Sequence, residues 1–480
     1  MNTQQTISQL QQFRQELYQL LPSRRDTLLD LLDALSGSPH ARSVVELSQS
    51  PLFRRAYSSI TDAIDQFFQA SQSECAEAKR AAWNKTLAQL IGRYLPAPQQ
   101  RRFWLLGTDV VPVSRPFART LKDRSFVYQP NPVGSNKPVT IGHHYSVLAF
   151  LPEKGQPADP PWVVPLNVQR VQSHATARVV GAEQLKTLLE DATQPFHAAL
   201  CVQVADSAYS GASYLGRVGA QRNLVCVTRA ADNRVFYRQF PTEAWETGAG
   251  HPRWYGKSFD LKDDTTWKPP DATAETTFTT KRKRTYRVQL QGWHNLLMHG
   301  KRDLPMHRYP FTLIRATVVD EQGRPVFKRT LWLIVLGEHR GELSLLEAWE
   351  AYRQRYDLEH FFRFGKQRLL MAAYQTPEVE HEENWLTLVQ LATVQLWLAR
   401  DLASIRLHPW ERYLPQRASG LAAPSQVQRD WECIIRLIGT PAQPPKRRGN
   451  ALGRAKGTRP ERRPRQSVVK KSARTAPLRV

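Results

Sequence analysis

The chain of 480 residues has only four cysteines, Cys75, Cys201, Cys226 and Cys433, each isolated in the sequence. With no C-x-x-C pair, neither a zinc knuckle nor a disulfide framework is indicated, and buried free thiols are expected. Long apolar runs are also missing. None approaches the ~20 residues needed to cross a bilayer, and the N-terminus MNTQQTISQLQQFRQELYQLL lacks a signal-peptide core. The expectation is a cytoplasmic, nucleoid-associated protein with no membrane partner. Acids are scarce, with 43 Asp and Glu facing 67 Lys and Arg for a formal charge of +24. Such a field concentrates phosphates, which makes nucleic acid the leading partner. The thirteen histidines show no metal-ligand spacing, and the adjacent His143 and His144 would point to opposite faces of a strand.

What is present is 41% hydrophobic residue content, enough for a substantial core, arranged in blocks of different texture. Residues 1–100 carry helical periodicity and read as an N-terminal helical DNA-binding domain. Its Arg24, Arg25, Arg54, Arg55, Lys79 and Arg80 suit phosphate contacts or a solvated face equally well. From 101 to 228, runs such as RFWLLGTDVVPV and HAALCVQVA read as buried strands between Pro, Gly and Asn turns. Residues 229–340 are polar, bear Trp and Pro, and suggest further β-structure. Helix dominates 341–405, where Thr376 is placed to cap, Pro377 falls in the first turn, and the cluster Glu378, Glu380, His381, Glu382, Glu383 complements the helix dipole. A helical segment, 406–445, precedes a tail, 446–480. The tail holds thirteen Lys or Arg against the single acid Glu461, beginning with Lys446, Arg447 and Arg448, and its composition predicts disorder and phosphate binding.

The stretch AYRQRYDLEHFFRFGKQRL, residues 351–369, has a pattern that burial alone does not demand. At about 100° per residue, Tyr352, Arg355, Glu359 and Lys366 fall at roughly 0°, 300°, 340° and 320° around one helix axis. They share a narrow face beside the apolar stripe of Ala351, Leu358, Phe362 and Leu369. Two aspartates have related settings, since Asp109 ends RFWLLGTD and Asp206 follows AALCVQVA. Taken singly, they read as a turn residue and a helix N-cap. Together with Glu359 they make three carboxylates able to hold two Mg²⁺ ions, the oxygen-rich arrangement that phosphodiester chemistry uses to activate one oxygen and stabilise another.

The run Tyr352-x2-Arg355-x3-Glu359-x6-Lys366 resembles the Y-x2-R-x3-E-x6-K signature of bacterial insertion-sequence transposases of the DDE class. LGTDVV and ADSAY, with Asp206-x2-Tyr209, resemble the same family. The resemblance spans most of residues 40–405. It implies an α/β fold with an RNase H-like catalytic core, its first part at 101–228 and its second at 341–405, interrupted by the β-rich insertion of 229–340. It also implies Asp109, Asp206 and Glu359 as catalytic ligands of Mg²⁺, with Mn²⁺ as a substitute. Tyr352, Arg355, Lys366 and Tyr209 would contact DNA. Family members similar to this chain stack a flipped base on a Trp some 27 to 28 residues before the final Glu, the place of Trp332, with Trp293 as rival. The expected partners are double-stranded DNA, both transposon ends and target, and a second protomer in a synaptic homodimer. Cut-and-paste transposition through hairpin ends is the activity implied. The alternatives are a nuclease or resolvase that does not join strands, and a decayed DNA-binding protein.

Overall fold

The computed structural model describes residues 3–68, 76–128, 138–156, 159–240, 254–280, 284–327, 330–404, 421–446 and 462–470. Four helices open the chain: α1 (Thr3–Leu20), α2 (Arg25–Gly37), α3 (Ser58–Asp65) and α4 (Ala76–Gly92). Then come β1 (Trp104–Ser114), β2 (Ser125–Tyr128), β3 (Val139–Phe150), β4 (Val164–Val171), α5 (Ala177–Leu189), β5 (Cys201–Ala205), α6 (Ala212–Val218) and β6 (Leu224–Ala230). A second β-rich stretch holds β7 (Val235–Gln239), β8 (Tyr255–Asp260), β9 (Ala272–Thr279), β10 (Thr285–Leu297), β11 (Phe311–Val319) and β12 (Leu331–Leu336). Helices α7 (Leu345–Gln354), α8 (Tyr356–Arg368), α9 (Val379–Leu398) and α10 (Pro424–Ile438) follow.

All twelve strands belong to one mixed, mostly antiparallel sheet, so the molecule is of the α/β class and consistent with a nuclease-like fold. Strand β1 lies between antiparallel β3 and parallel β5, β5 continues parallel to β6, and β4 flanks β3. Among the described residues, the stretch 229–340 carries β7 to β12, which extend the same sheet. Its last strand, β12, pairs antiparallel with β6, and β11, β10, β7 and β8 follow outward. The short connection from β12 then delivers α7, whose start is fixed by a capping box: the Ser344 hydroxyl accepts from the Glu347 amide, and the Glu347 carboxylate accepts from the Ser344 amide.

The N-terminal helices share their core with the C-terminal ones. Helix α2 is apolar nearly all round, with Leu28, Leu29, Leu31, Leu32 and Leu35 buried, as befits a central helix. It packs on α9 and α10. Buried Arg14 of α1 grips Asp33 of α2 through both carboxylate oxygens, at 2.6 and 2.8 Å, and donates to Gln395 of α9 at 2.9 Å. Several cations suited to phosphate are thereby engaged internally. Arg54 and Arg55 pair with buried Asp30, and Arg80 with Glu383.

The acidic start of α9 serves the interior more than the helix dipole. Glu378 is the N-cap residue, and Thr376 stands outside the helix, its hydroxyl accepting from the Glu378 amide at 3.2 Å. Glu382 is fully buried, where it accepts from Arg115 at 2.5 Å and Tyr145 at 2.7 Å and meets His143 at 2.7 Å. These partners tie α9 to β3 and to the residue that follows β1. Cys201 and Cys226 are buried and Cys433 half-buried, all as free thiols, while Cys75 lies outside the described residues. No helix among the described residues is long and apolar enough to cross a membrane.

Part of the tail departs from the disorder expected of it. The Gln466 and Val469 amides donate to the Arg119 and Arg124 carbonyls at 3.0 and 2.8 Å, Val469 bridges to Ser125 of β2, and Arg463 pairs with Glu378. The short edge strand β2 offers unpaired backbone groups that an extended segment satisfies. Lys446 is exposed, and Arg447 and Arg448 lie outside the described residues.

Candidate active site

Strand register brings the two aspartates together. β1 and β5 run parallel with Thr108 opposite Ala205, the last residue of β5, so Asp109 and Asp206 emerge side by side where β5 stops. Asp109 does not end its strand, which continues to Ser114 against β3 with Asp109 opposite Val147. Its carboxylate accepts from the Val110 amide at 2.7 Å and is almost enclosed. Asp206 lies half-exposed, its Oδ1 accepting from the Ala208 amide at 2.8 Å at the head of a short 3-10 turn. Burial and then the neighbouring charge of Asp206 push the Asp109 pKa up to about 7, despite the opposing Arg355 guanidinium.

Helices α7 and α8 supply the third acid. The single helix predicted for 351–369 divides at Arg355, where the Arg355 amide donates to the Tyr352 carbonyl and the Leu358 amide to the Arg355 carbonyl, a tightened i to i+3 turn. Two contacts fix α8 below that joint. Leu358 rests over Gly107 of β1, where an added Cβ would lie 3.0 Å from its Cδ1, and buried Asp357 pairs with Lys154 at 2.7 Å. With that face anchored, Glu359 in the first turn stays exposed and turns toward the aspartates.

Arg355 joins the three acids. Its Nη1 donates to Asp109 Oδ2 at 3.1 Å and lies 3.7 Å from Glu359 Oε1, with the charge of Asp206 also acting on it. Burial disfavours its charge, but Tyr352 and the three carboxylates outweigh this and hold its pKa above the ordinary value. The guanidinium also sits over the Tyr352 ring, 5.8 Å from its centre. Lys366 is half-buried, its pKa lowered by burial against the pull of Glu359. Tyr352, Arg355 and Glu359 thus lie near the aspartates, with Lys366 near Glu359.

Three aromatics read from the sequence as DNA contacts are buried in the free chain. Tyr209 is 1% exposed, its ring edge-on to Tyr214 at 5.0 Å and close to both aspartates, so it packs beneath the site. Trp332 is 2% exposed, packed against Trp267 at 5.2 Å and Trp293 at 5.8 Å. Trp293 is buried as well and donates to the Lys268 carbonyl at 2.7 Å. Neither indole presents a face to solvent in the free chain. Beside the acids, however, opens a cavity of about 750 Å³, lined among others by Arg229, Arg315, Phe327, Arg353, Arg355 and Tyr356. Phe327 and Tyr356 are exposed there. Sequence spacing gave no signal for this set, because β6, β11, a loop and the α7–α8 region, remote from one another in the chain, contribute it.

The donor set, being all carboxylate oxygen, suits the chemistry of a hard divalent cation. Among the described residues no three metal-binding side chains converge on one point, and Arg355 stands between the acids. Fold and site together set Asp109, Asp206 and Glu359 around Arg355 on a mixed α/β scaffold consistent with a nuclease-like fold. A family model described as DDE superfamily endonuclease matches residues 16–295, more than half of the chain, and the chain belongs to that superfamily. Comparison with curated proteins returns no match. The matched stretch contains Asp109 and Asp206 and stops short of Glu359.

Proposed function

We propose that this endonuclease is a DNA transposase of the insertion-sequence type, which binds terminal inverted repeats, cleaves the element ends and joins them to target DNA. The observation that carries the reading is the link from Asp109 through Arg355 to Glu359, because it joins Asp109, with Asp206 beside it across the β1–β5 register, to the two helices bearing Tyr352-x2-Arg355-x3-Glu359-x6-Lys366. The strand order β4-β3-β1-β5-β6, antiparallel then parallel, supports an RNase H-like core.

Asp109, Asp206 and Glu359 would hold Mg²⁺ or Mn²⁺, which supplies activation of the attacking oxygen and stabilisation of the leaving one. Lys366 offers a point charge and Arg355 a forked donor to the phosphates flanking the cut, while Tyr352 donates a hydrogen bond. The arginine-lined cavity, with Phe327 and Tyr356 at hand, receives the nucleotide beside the scissile phosphate, and aromatic faces there offset part of the cost of unstacking it. Cut-and-paste transfer through hairpin ends by a homodimer is the route proposed.

The test is a cleavage and strand-transfer assay with the element's own flanking inverted repeats, Mg²⁺ or Mn²⁺, and a plasmid target. Cut ends covalently joined to the plasmid are expected. Cleavage without joining would mark a nuclease or resolvase, and specific binding without any cleavage would mark a DNA-binding protein.

A further inference from the structure

Arg355 is placed where a cation is wanted before any metal arrives. Its Nη1 bonds Asp109 at 3.1 Å, reaches Glu359 at 3.7 Å, and feels Asp206 as well. The side chain is mostly buried, so the pair is shielded from solvent. Its backbone forms the joint between two helices that are otherwise anchored, α7 by its capping box and α8 by Leu358 and Asp357. No three metal-binding side chains converge among the described residues while the guanidinium lies there.

We propose that Arg355 is a built-in counter-ion that holds the acidic centre closed to divalent metal until DNA draws it away. The inference rests on the endonuclease reading of the site and concerns its regulation. A guanidinium and a divalent ion cannot share three acids at these distances without strong repulsion, so metal entry requires Arg355 to leave. A nearby DNA phosphate offers the alternative partner, since the planar fork of Arg pairs with phosphate as well as with carboxylate. Metal and DNA then bind cooperatively, each raising the affinity for the other by the same factor. An enzyme arranged in this way loads metal mainly when DNA is in place, which guards the cell against stray cleavage.

The experiment measures Mn²⁺ binding to the full chain by electron paramagnetic resonance, with and without a DNA duplex, for wild type, Arg355→Gln and Arg355→Lys. Without DNA, Arg355→Gln should bind Mn²⁺ at least about tenfold more tightly than wild type, because a cation within a few ångströms of the metal is gone. Arg355→Lys, which keeps the charge, should stay near wild type. DNA should tighten Mn²⁺ binding by wild type far more than by Arg355→Gln. Equal or weaker Mn²⁺ binding by a folded Arg355→Gln overturns the inference while leaving the endonuclease reading intact. Failure of wild type to bind Mn²⁺ even with DNA removes both. Should Arg355→Gln not fold, the Nε–H resonance of Arg355 in wild type decides: a shift on adding DNA together with Mg²⁺ is expected, and an unmoved signal under conditions where DNA-bound wild type is saturated with metal overturns the proposal.

Discussion

Asp109 lies almost enclosed beside a second carboxylate and is held by one backbone amide and one guanidinium. Its substitution should therefore affect chemistry more than folding. Asp109→Asn, Asp206→Asn and Glu359→Gln are each expected to abolish DNA cleavage while leaving end-DNA binding within about three-fold, since none is a principal phosphate contact. Gel-shift and cleavage assays on one substrate check this, and near-normal cleavage by any variant would remove that residue from the site. Trp332 behaves oppositely. Its ring fills space between Trp267 and Trp293, so Trp332→Ala should cost about 3 to 5 kcal/mol of stability, the usual loss on emptying a buried indole site. Denaturant unfolding measures this loss. An abasic nucleotide at the cleaved end should not rescue the variant, and rescue would restore the stacking role read from the sequence.

At the scale of elements, two contacts aim the helices. Gly107 lets α8 approach β1, with Leu358 filling the room a side chain would take. Gly107→Val should displace the first turn of α8 and with it Glu359, lowering cleavage by at least about tenfold because misplacement by about 1 Å costs that much or more. Retained cleavage in a folded variant would show that α8 has slack. Glu382 fastens α9 to β3 and to the residue that follows β1 and, although burial works against its charge, His143, Arg115 and Tyr145 lower its pKa below the usual glutamate value. A depressed folded-state pKa gives stability that is present above the unfolded value, about 4.3, and is lost as pH falls through the lower folded one. Glu382→Gln should thus cost about 3 to 5 kcal/mol near pH 7, with the gap to wild type narrowing below about pH 4. Melting temperatures of both proteins across that range test the sign.

For the whole molecule, the charge of +24 is unevenly available. Arg14, Arg54, Arg55, Arg80, Arg115 and Arg170 are committed to internal carboxylates, whereas the tail holds thirteen cations against one acid. Deleting Lys446–Val480 should lower affinity for specific and random DNA alike and flatten the dependence of log affinity on log salt, because phosphate contacts release counterions without reading bases. Fluorescence anisotropy at several salt concentrations measures both effects. A deletion that erased preference for the terminal repeat while sparing random-DNA affinity would show that the tail reads sequence.

The sequence by itself determined what depends on short-range order. Helical periodicity placed Tyr352, Arg355, Glu359 and Lys366 on one side, apolar runs marked the strands that lead to Asp109 and Asp206, and the composition of 446–480 announced a cationic tail. Only the tertiary structure decided which distant surfaces meet. The pairing of Asp109 with Asp206 follows from strand register across nearly a hundred residues. The enclosure of Trp332 and Tyr209 follows from neighbours such as Trp267 and Tyr214, contributed by separate elements. Glu382 turned inward because Arg115, His143 and Tyr145 wait beneath it, and Arg355 settled among three acids because α8 is seated on Gly107. Periodicity is written in neighbours a few residues apart, whereas burial, register and charge pairing depend on how elements remote in the chain pack together.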